Sequence, residues 1–169
     1  MGNVDGSLFG TITESTLEVD DILSSPYPYE QQLVKILTGD IVIDAMSASD
    51  VLEHSDKVIK IEGYEKLNRT LFEVCKRLAK EYRHDGPVTC HLFISPAGGK
   101  SFPWHSDPDH VVLYVVEGCK DMAIENDQVY ELLPGQALYI PQGTEHKTLN
   151  VKASKMLSFG LERFLVEKL

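Results

Sequence analysis

The stretch FPWHSDPDH, residues 102–110, places a histidine and an aspartate two residues apart, at His105 and Asp107. In an extended chain alternate side chains point to the same side, so these two are expected to lie together, with Ser106 on the other side. An imidazole and a carboxylate are both good ligands for a transition metal, and a site built from them needs a third. The pair therefore predicts a metal site that another part of the chain completes.

A candidate for the third ligand lies in GQALYIPQGTEHKTLN, residues 135–150. Two turns flank a strand of five residues here, and His146 stands at the start of the next strand. On that strand His146, Thr148 and Asn150 share one face, and Leu149 lies on the other. A polar face of this kind could meet water, and it also suits a barrel whose interior holds a ligand. His146 is therefore the candidate third metal ligand.

The elements that position these residues are short strands. After Pro87 the sequence alternates β-type runs with turn residues, which indicates an antiparallel sandwich or barrel. We expect a mainly β fold, a double-stranded β-helix or jelly roll with N-terminal helical decoration, as a single domain over residues 1–169. Residues 87–164 would form the jelly-roll core, and residues 1–86 a helical and mixed support packed around it. The predicted strands after Pro87 are VTCHLFIS, HVVLYVVEG, KDMAIE, QVYELL, QALYI, EHKTLNV and KMLSFGLERF.

The N-terminal half carries one clear helix signal. Apolar residues recur at helical spacing from Tyr64 to Arg83, with charged residues on the other face, and Gly86 and Pro87 end the pattern. The sequence also predicts a short helix around residues 31–37 and strands at residues 40–44 and 58–61.

Composition limits the classes of partner. The 169 residues carry a formal net charge of -10, from 16 Lys and Arg against 26 Asp and Glu, without a basic cluster, which argues against nucleic acid as a partner. Three cysteines without a CxxC pair fit reduced thiols. The N-terminal residues lack the pattern of a signal peptide and no apolar run reaches membrane-spanning length. We therefore expect a cytoplasmic protein with no membrane partner.

Lys120 is an unusual residue for its position. In the strand KDMAIE it shares a face with Met122 and Ile124, the apolar side of the strand. A buried ammonium is costly unless an anion pairs with it or it becomes neutral. An incoming carboxylate could complete the pair, although a lysine that snorkels from the strand end would show the same pattern.

The spacing of the second segment resembles a known family. G-x5-P-x-G-x2-H-x3-N is the second cupin motif, and it is matched in full by Gly135, Pro141, Gly143, His146 and Asn150. The first cupin motif normally has H-x-H and a downstream glutamate, whereas this chain has H-x-D. H-x-D with a distal histidine resembles the two-histidine, one-carboxylate triad of the JmjC-like Fe(II)- and 2-oxoglutarate-dependent oxygenases, and residues 95–146 resemble the pattern of that family.

The resemblance implies a set of ligands. His105, Asp107 and His146 would hold Fe(II), with O2 as co-reactant, and Lys120 would bind the distal carboxylate of 2-oxoglutarate. Thr148 could add a hydroxyl contact to this cosubstrate. Many family members place Thr or Ser three residues before the first metal ligand, where this chain has Phe102. Either Ser101 or Tyr114 would then take over that contact, or the oxoacid would be held differently.

The implied activity is hydroxylation of a C–H bond in a small molecule, amino acid or peptide, with release of succinate and CO2. One alternative is a metal-dependent cupin enzyme without 2-oxoglutarate, an isomerase or a dioxygenase, in which Lys120 would contact the substrate. Another is a non-catalytic cupin that only binds a ligand. The sequence does not identify the substrate, and a homodimer formed through an edge strand is a further possibility.

Overall fold

The computed structural model describes residues 2–10 and 12–165, so the parts of the expected domain at residues 1, 11 and 166–169 lie outside it. Eleven strands form in the described residues. They are β1 Gly2–Asn3, β2 Val34–Leu37, β3 Val42–Asp44, β4 Val58–Ile61, β5 Val88–Ser95, β6 His110–Gly118, β7 Lys120–Ile124, β8 Gln128–Leu132, β9 Ala137–Ile140, β10 His146–Thr148 and β11 Ser154–Leu161.

Helices are confined mainly to the N-terminal half. The α-helices are α1 Glu14–Leu17, α2 Val19–Ser24, α3 Tyr27–Glu30, α4 Ala48–Glu53 and α5 Arg69–Glu81, and short 3-10 helices cover Gly6–Phe9, Tyr64–Lys66 and Glu125–Asp127. None of the helices in the described part of the chain has the length and apolar character needed to cross a membrane.

The strands form two antiparallel sheets. The large sheet has eight strands in the order β1-β9-β6-β11-β5-β4-β2-β3, and the small sheet has three in the order β10-β7-β8. All seven strands predicted after Pro87 form, two of them (β5 and β6) with the predicted bounds, and the short strand predictions at residues 40–44 and 58–61 are also confirmed, as β3 and β4. The alternation of side chains and the turn residues between runs were sufficient signals there.

Two predictions for the N-terminal half are wrong. Residues 34–37, expected in a short helix, form β2, because Val34 and Ile36 pack into the core while Lys35 on the other face pairs with Asp44. The second error concerns the support expected over residues 1–86, which does more than pack around the jelly-roll core. Its strands β2, β3 and β4 continue the large sheet beyond β5.

The predicted helix at residues 64–83 forms over a shorter range. The 3-10 helix Tyr64–Lys66 comes first, and Asn68 is the N-cap of α5, since its side chain accepts a hydrogen bond from the backbone N–H of Leu71. The buried face of α5 consists of Leu71, Val74, Cys75 and Leu78. This face packs on the outer side of the large sheet.

Two apolar clusters lie on opposite faces of the large sheet. The outer cluster joins the helices to the residues of β5, β6 and β11 that point away from the small sheet. It includes Phe9 from the first 3-10 helix, and Val112, Tyr114 and Phe159 from the strands. The inner cluster lies between the two sheets and includes Val111, Leu113, Met122 and Met156. Because β6 is buried on both faces, it reads as the continuous apolar run VVLYVV. The space between the sheets is where the predicted metal ligands lie.

Candidate metal centre

The two histidines of the predicted site lie side by side because their backbones pair. His105 and His146 form an isolated antiparallel β-bridge, in which each backbone N–H donates to the other's carbonyl, at 3.1 and 2.8 Å. Their ring centroids are 4.4 Å apart. The segment at residues 106–109 is not part of a strand, so this bridge, rather than a continuous strand, places His105.

Each imidazole is oriented by a carbonyl two residues before it. The Nδ1 of His105 lies 2.8 Å from the carbonyl oxygen of Pro103, and the Nδ1 of His146 lies 2.8 Å from that of Thr144. In the neutral tautomer with the proton on Nδ1, each ring donates to its carbonyl and presents the lone pair of Nε2 to a metal. Such backbone contacts are the usual means of fixing the tautomer and orientation of metal-binding histidines.

The carboxylate of Asp107 points toward the Nε2 atoms of both histidines. Oδ2 lies 3.2 Å from Nε2 of His146, and Oδ1 lies 3.9 Å from Nε2 of His105. The backbone carbonyl of Asp107 accepts a hydrogen bond from Gly143 at 2.9 Å, within the turn that precedes β10. The candidate ligand atoms of His105, Asp107 and His146 all lie within 4.8 Å of one another. This geometry brings the three predicted ligands together as a potential metal site.

The electrostatics of the triad keep Asp107 ionised and, without a metal, favour the protonated form of His146. Burial acts to raise the pKa of Asp107, but the hydrogen bond from His146 and the charges of His146, His105 and Lys60 hold it below its ordinary value. Burial acts to lower the pKa of His146, whereas the hydrogen bond to Asp107 and the contact with Thr144 raise it. A carboxylate kept ionised next to two imidazoles is a donor set suited to a divalent transition metal.

A cavity of about 370 Å³ opens beside the triad, between the two sheets. Its apolar wall comes from the inner cluster, through Val111, Leu113, Met122 and Met156. Its polar wall includes Lys60 of β4, His91 of β5 and Glu162, which follows β11. None of the three was predicted as a site residue. The cavity is therefore partly apolar and partly charged, as ligand-binding sites commonly are.

Lys60 brings a positive charge to this cavity. Its Nζ lies 5.7 and 5.6 Å from the ring centroids of Phe93 and Phe102 and 3.3 Å from a carboxylate oxygen of Glu62. A lysine within the apolar run VIKI was the same signal that identified Lys120. It was missed because β4 was assigned to the support rather than to the cavity.

His91 is a neutral member of the same wall. Burial, together with the charge of Lys60, lowers its pKa to about 4. Its Nδ1 accepts a hydrogen bond from the backbone N–H of Gly63 at 3.3 Å.

Lys120 is buried, as the alternation of its strand predicts, with 1% of its surface exposed. Its Nζ donates to the hydroxyl of Ser95 at 3.0 Å and to the side-chain oxygen of Asn150 at 2.5 Å, and no carboxylate pairs with it among the described residues. Burial lowers its pKa to about 8. Lys120 does not line the cavity beside the triad, although Met122 on the same strand does, so its predicted contact with a cosubstrate stays a prediction.

The three other predicted cosubstrate contacts have different positions. Thr148 lines the cavity, and its buried hydroxyl has no hydrogen-bond partner in the described part of the chain. Ser101 also lines the cavity. Tyr114 lies on the opposite face of β6, stacked on Phe9 at 4.3 Å between ring centroids. Contact between Tyr114 and a ligand at the triad is therefore incompatible with this structure, and that expectation is corrected.

Comparisons with known proteins agree with this architecture. Residues 91–160 match the family model described as "Cupin domain". No curated protein matches the sequence. The structure of YcfD, a ribosomal oxygenase from Escherichia coli, aligns with 98% of this chain and 46% of that chain, at 14% sequence identity and a TM-score of 0.68.

Two further solved structures illustrate the range of similarity. YcfD in complex with cobalt and succinic acid aligns with 95% of this chain and 45% of that chain, at 16% identity and a TM-score of 0.66. An RmlC-like cupin family protein with a double-stranded β-helix fold, from Methanocaldococcus jannaschii, aligns with 43% of this chain and 68% of that chain, at 17% identity and a TM-score of 0.41.

The present chain spans less than half of the length of YcfD. At 14% and 16% sequence identity, the similarity shows a shared fold and no shared activity. The match of residues 91–160 and the two antiparallel sheets confirm the expected fold class. The chain is mainly β, and its fold is similar to the double-stranded β-helix of cupins, with the match to the cupin model over residues 91–160 and with His105, Asp107 and His146 between the two sheets.

Proposed function

We propose that this protein is an Fe(II)- and 2-oxoglutarate-dependent oxygenase that hydroxylates a C–H bond of a small molecule, amino acid or peptide. The observation that carries the proposal is the triad of His105, Asp107 and His146. Each Nδ1 contacts a backbone carbonyl, and both Nε2 atoms are directed toward the carboxylate of Asp107. Two histidines and one carboxylate on one side of a metal are typical of non-haem Fe(II) oxygenases, because they leave open positions for other ligands.

The charge of the triad favours an oxoacid as the next ligand. Two neutral imidazoles and one carboxylate balance half of the charge of a divalent ion, and the carboxylate of 2-oxoglutarate would balance the rest. When bound, iron and 2-oxoglutarate supply the oxidising chemistry, in which O2 delivers one oxygen atom to the succinate product and one to the substrate C–H, with loss of CO2.

The interior of the barrel offers a place for the distal carboxylate. Lys120 uses two of its three N–H donors on Ser95 and Asn150. The hydroxyls of Thr148 and Ser154 are buried without a hydrogen-bond partner in the described residues. Buried polar atoms are normally satisfied, so these hydroxyls and the remaining N–H fit a ligand with several acceptor oxygens. The complex of YcfD with cobalt and succinic acid supports a dicarboxylate in such a fold.

The remaining residues have supporting tasks. Asn150 accepts from Lys120 and donates to the carbonyl of Gly99 at 2.8 Å, so it ties the lysine to the loop that carries Ser101. A carboxylate that binds Lys120 would exchange with the Asn150 oxygen. Val111 and Leu113 exclude water from the reacting side of the cavity, which strengthens electrostatic contacts within it.

The first test is a spectrum taken without oxygen. Protein loaded anaerobically with Fe(II) should show a weak visible band at roughly 500 nm on addition of 2-oxoglutarate, as expected for chelation at an open facial site. Asp107→Ala should remove the band by removing the metal. Lys120→Met should retain Fe(II) and require much more 2-oxoglutarate, whereas Lys80→Met, which changes an exposed lysine, should match the wild type.

A metal-dependent cupin enzyme without 2-oxoglutarate is the second candidate, and one observation favours it. The ammonium group of Lys120 already donates hydrogen bonds to two neutral side chains, Ser95 and Asn150. The lysine also does not line the cavity beside the triad. Iron binding without any band, at saturating 2-oxoglutarate, would select this candidate over the oxygenase.

A further inference from the structure

Glu162 places a carboxylate in the wall of the metal-site cavity. It follows directly after β11 and is half-buried. Its position in the cavity is not explained by the triad or by the interior site around Lys120, since it touches neither through any hydrogen bond or ion pair. The question is whether this carboxylate serves the fold or a ligand.

The backbone of Glu162 is fixed on both sides. Its N–H donates to the carbonyl of Pro87 at 2.9 Å, and its carbonyl lies 2.6 Å from Nε2 of His84. Gly86 makes this close approach possible, because a Cβ at that position would collide with the carbonyl oxygen of Glu162. The turn at residues 84–87 therefore holds the start of this side chain in place.

The carboxylate itself is also positioned. Its Oε1 accepts a hydrogen bond from the hydroxyl of Thr89 at 2.8 Å. The side chain lies over Gly160, where a Cβ would stand 3.2 Å from Oγ1 of Thr89 and 3.6 Å from Oε1 of Glu162. The absence of a side chain at residue 160 leaves room for the carboxylate against the sheet. A long, flexible glutamate is thus held in one orientation.

Two other charges in the wall have partners of opposite charge. Lys60 pairs with Glu62 at 3.3 Å, and Asp109 pairs with Arg163 at 3.5 Å. Asp107 belongs to the metal triad. Glu162 has no Lys, Arg or His ion-pair partner anywhere in the described residues, and its accepted bond from Thr89 does not neutralise it. A partly buried carboxylate of this kind favours a cation in the cavity.

We propose that Glu162 is a specificity-determining residue that binds a positively charged group of the substrate, an ammonium or a guanidinium. The inference rests on the proposed function, because it assigns the substrate class of the same cavity. The cationic group would be held at the Thr89–Glu162 side of the cavity, while the C–H bond to be oxidised faces the triad. Charge-assisted hydrogen bonds to a carboxylate are about twice as strong as neutral ones, so the contact would select strongly against an uncharged analogue.

The test compares a charged and a neutral compound of the same size. n-Butylamine, which is an ammonium ion at pH 7, and n-butanol are titrated into the Co(II)-loaded protein, and paramagnetic broadening of their methyl signals reports binding near the metal. We expect n-butylamine to bind at least about tenfold more tightly, a ratio equivalent to about 1.4 kcal/mol. The ratio should fall with added salt because the cavity is open to solvent.

Glu162→Gln removes the charge and keeps an oxygen that can accept from Thr89. It should bring the ratio of the two affinities close to one, while Glu53→Gln, at an exposed position on α4, should leave the ratio unchanged. Thr89→Val keeps the charge and removes the hydrogen bond that orients it, so it should lower the ratio in part. Urea unfolding of each variant separates these effects from loss of the fold.

Three results would overturn the proposal: no binding of the amine to the wild type, equal binding of both compounds, or an unchanged ratio in Glu162→Gln. A stability loss in Glu162→Gln with an unchanged ratio would assign the residue to the fold alone. The assay uses neither 2-oxoglutarate nor O2. Failure of the Fe(II) spectrum with a retained charge preference would therefore reject the proposed oxygenase, whereas the opposite pattern would reject only the role of Glu162.

Discussion

Lys120→Met tests the cost of the buried lysine through the pH dependence of stability. Burial lowers the pKa of Lys120 from its ordinary value of 10.5 to about 8. Between these two values the unfolded chain binds the proton more tightly than the folded one, so the stability contributed by this group rises with pH. Below pH 8 the folded protein carries the full penalty, and above pH 10.5 the penalty is gone.

The magnitude follows from the size of the shift. One pKa unit corresponds to about 1.4 kcal/mol, so the charged lysine costs the folded state about 3 kcal/mol at pH 7, and most of that is recovered by pH 10. Methionine has a similar length and no charge. It leaves Ser95 and Asn150 without their donor, which adds a cost that does not depend on the pH in this range.

The measurement is urea unfolding of wild type and Lys120→Met at pH 7 and pH 10. The difference between the two free energies of unfolding should shift by about 2 to 3 kcal/mol in favour of the wild type at the higher pH. The other titrating groups are common to both proteins and cancel. Lys80→Met, at an exposed lysine, should show no such shift. If the difference between the two free energies of unfolding is the same at pH 7 and pH 10, Lys120 is not a buried, destabilised cation.

Four further outcomes are expected. Asp107→Ala should abolish Co(II) binding in calorimetry while its circular dichroism stays that of the wild type, and retained metal binding would exclude the triad. Thr148→Val, which removes a buried hydroxyl without a partner, should raise the stability of the ligand-free protein by about 1 kcal/mol and weaken 2-oxoglutarate binding in the spectral titration. The 2-oxoglutarate affinity of the wild type should fall as the pH rises above about 8, because Lys120 loses its charge, and a flat profile would contradict its role. Gly118→Ala should lower the melting temperature strongly, since φ is +78° and a Cβ would collide with the carbonyl of Ala153.

The candidate metal ligands could be identified because their residue types and spacing are local information. His105, Asp107 and His146 lie within two short segments with clear turns, and the structure brings the three side chains together. The strands after Pro87 could be predicted for a related reason. Their side-chain alternation and turn residues repeat at close intervals, and both signals can be read without knowing what each strand packs against.

The errors arise where one strand is buried on both faces or where strands are short. In VVLYVV every residue is apolar, so the alternation of β6 gave no indication that Tyr114 faces Phe9 while Val111 and Leu113 face the cavity. The four residues of β2 are too few to distinguish a strand from a helical turn by periodicity, and their pairing with β4 decided the outcome.

The contacts between segments that are far apart in the chain could not be predicted from local sequence patterns. Lys60 reaches the cavity because β4 pairs with β5, and Glu162 is held there by Thr89, which lies 73 residues earlier in the chain. The composition of each segment is compatible with many such pairings, and only the assembled sheet selects one. A charged residue within an apolar strand was nevertheless a usable signal, since both Lys60 and Lys120 stand in that context.

The division of the molecule into two apolar clusters explains how the chain can keep a costly interior. Lys120, Thr148 and Ser154 place buried polar groups within the barrel, where a lowered lysine pKa and two hydroxyls without partners all oppose folding. The outer cluster, on the other face of the large sheet, joins the helices to the strands without any of these groups. Stability can therefore be supplied on the outer face while the inner face remains suited to a ligand. Residues that oppose folding in this way are expected where a bound ligand recovers their cost. By this reasoning 2-oxoglutarate should stabilise the metal-loaded wild type against unfolding more than it stabilises Lys120→Met.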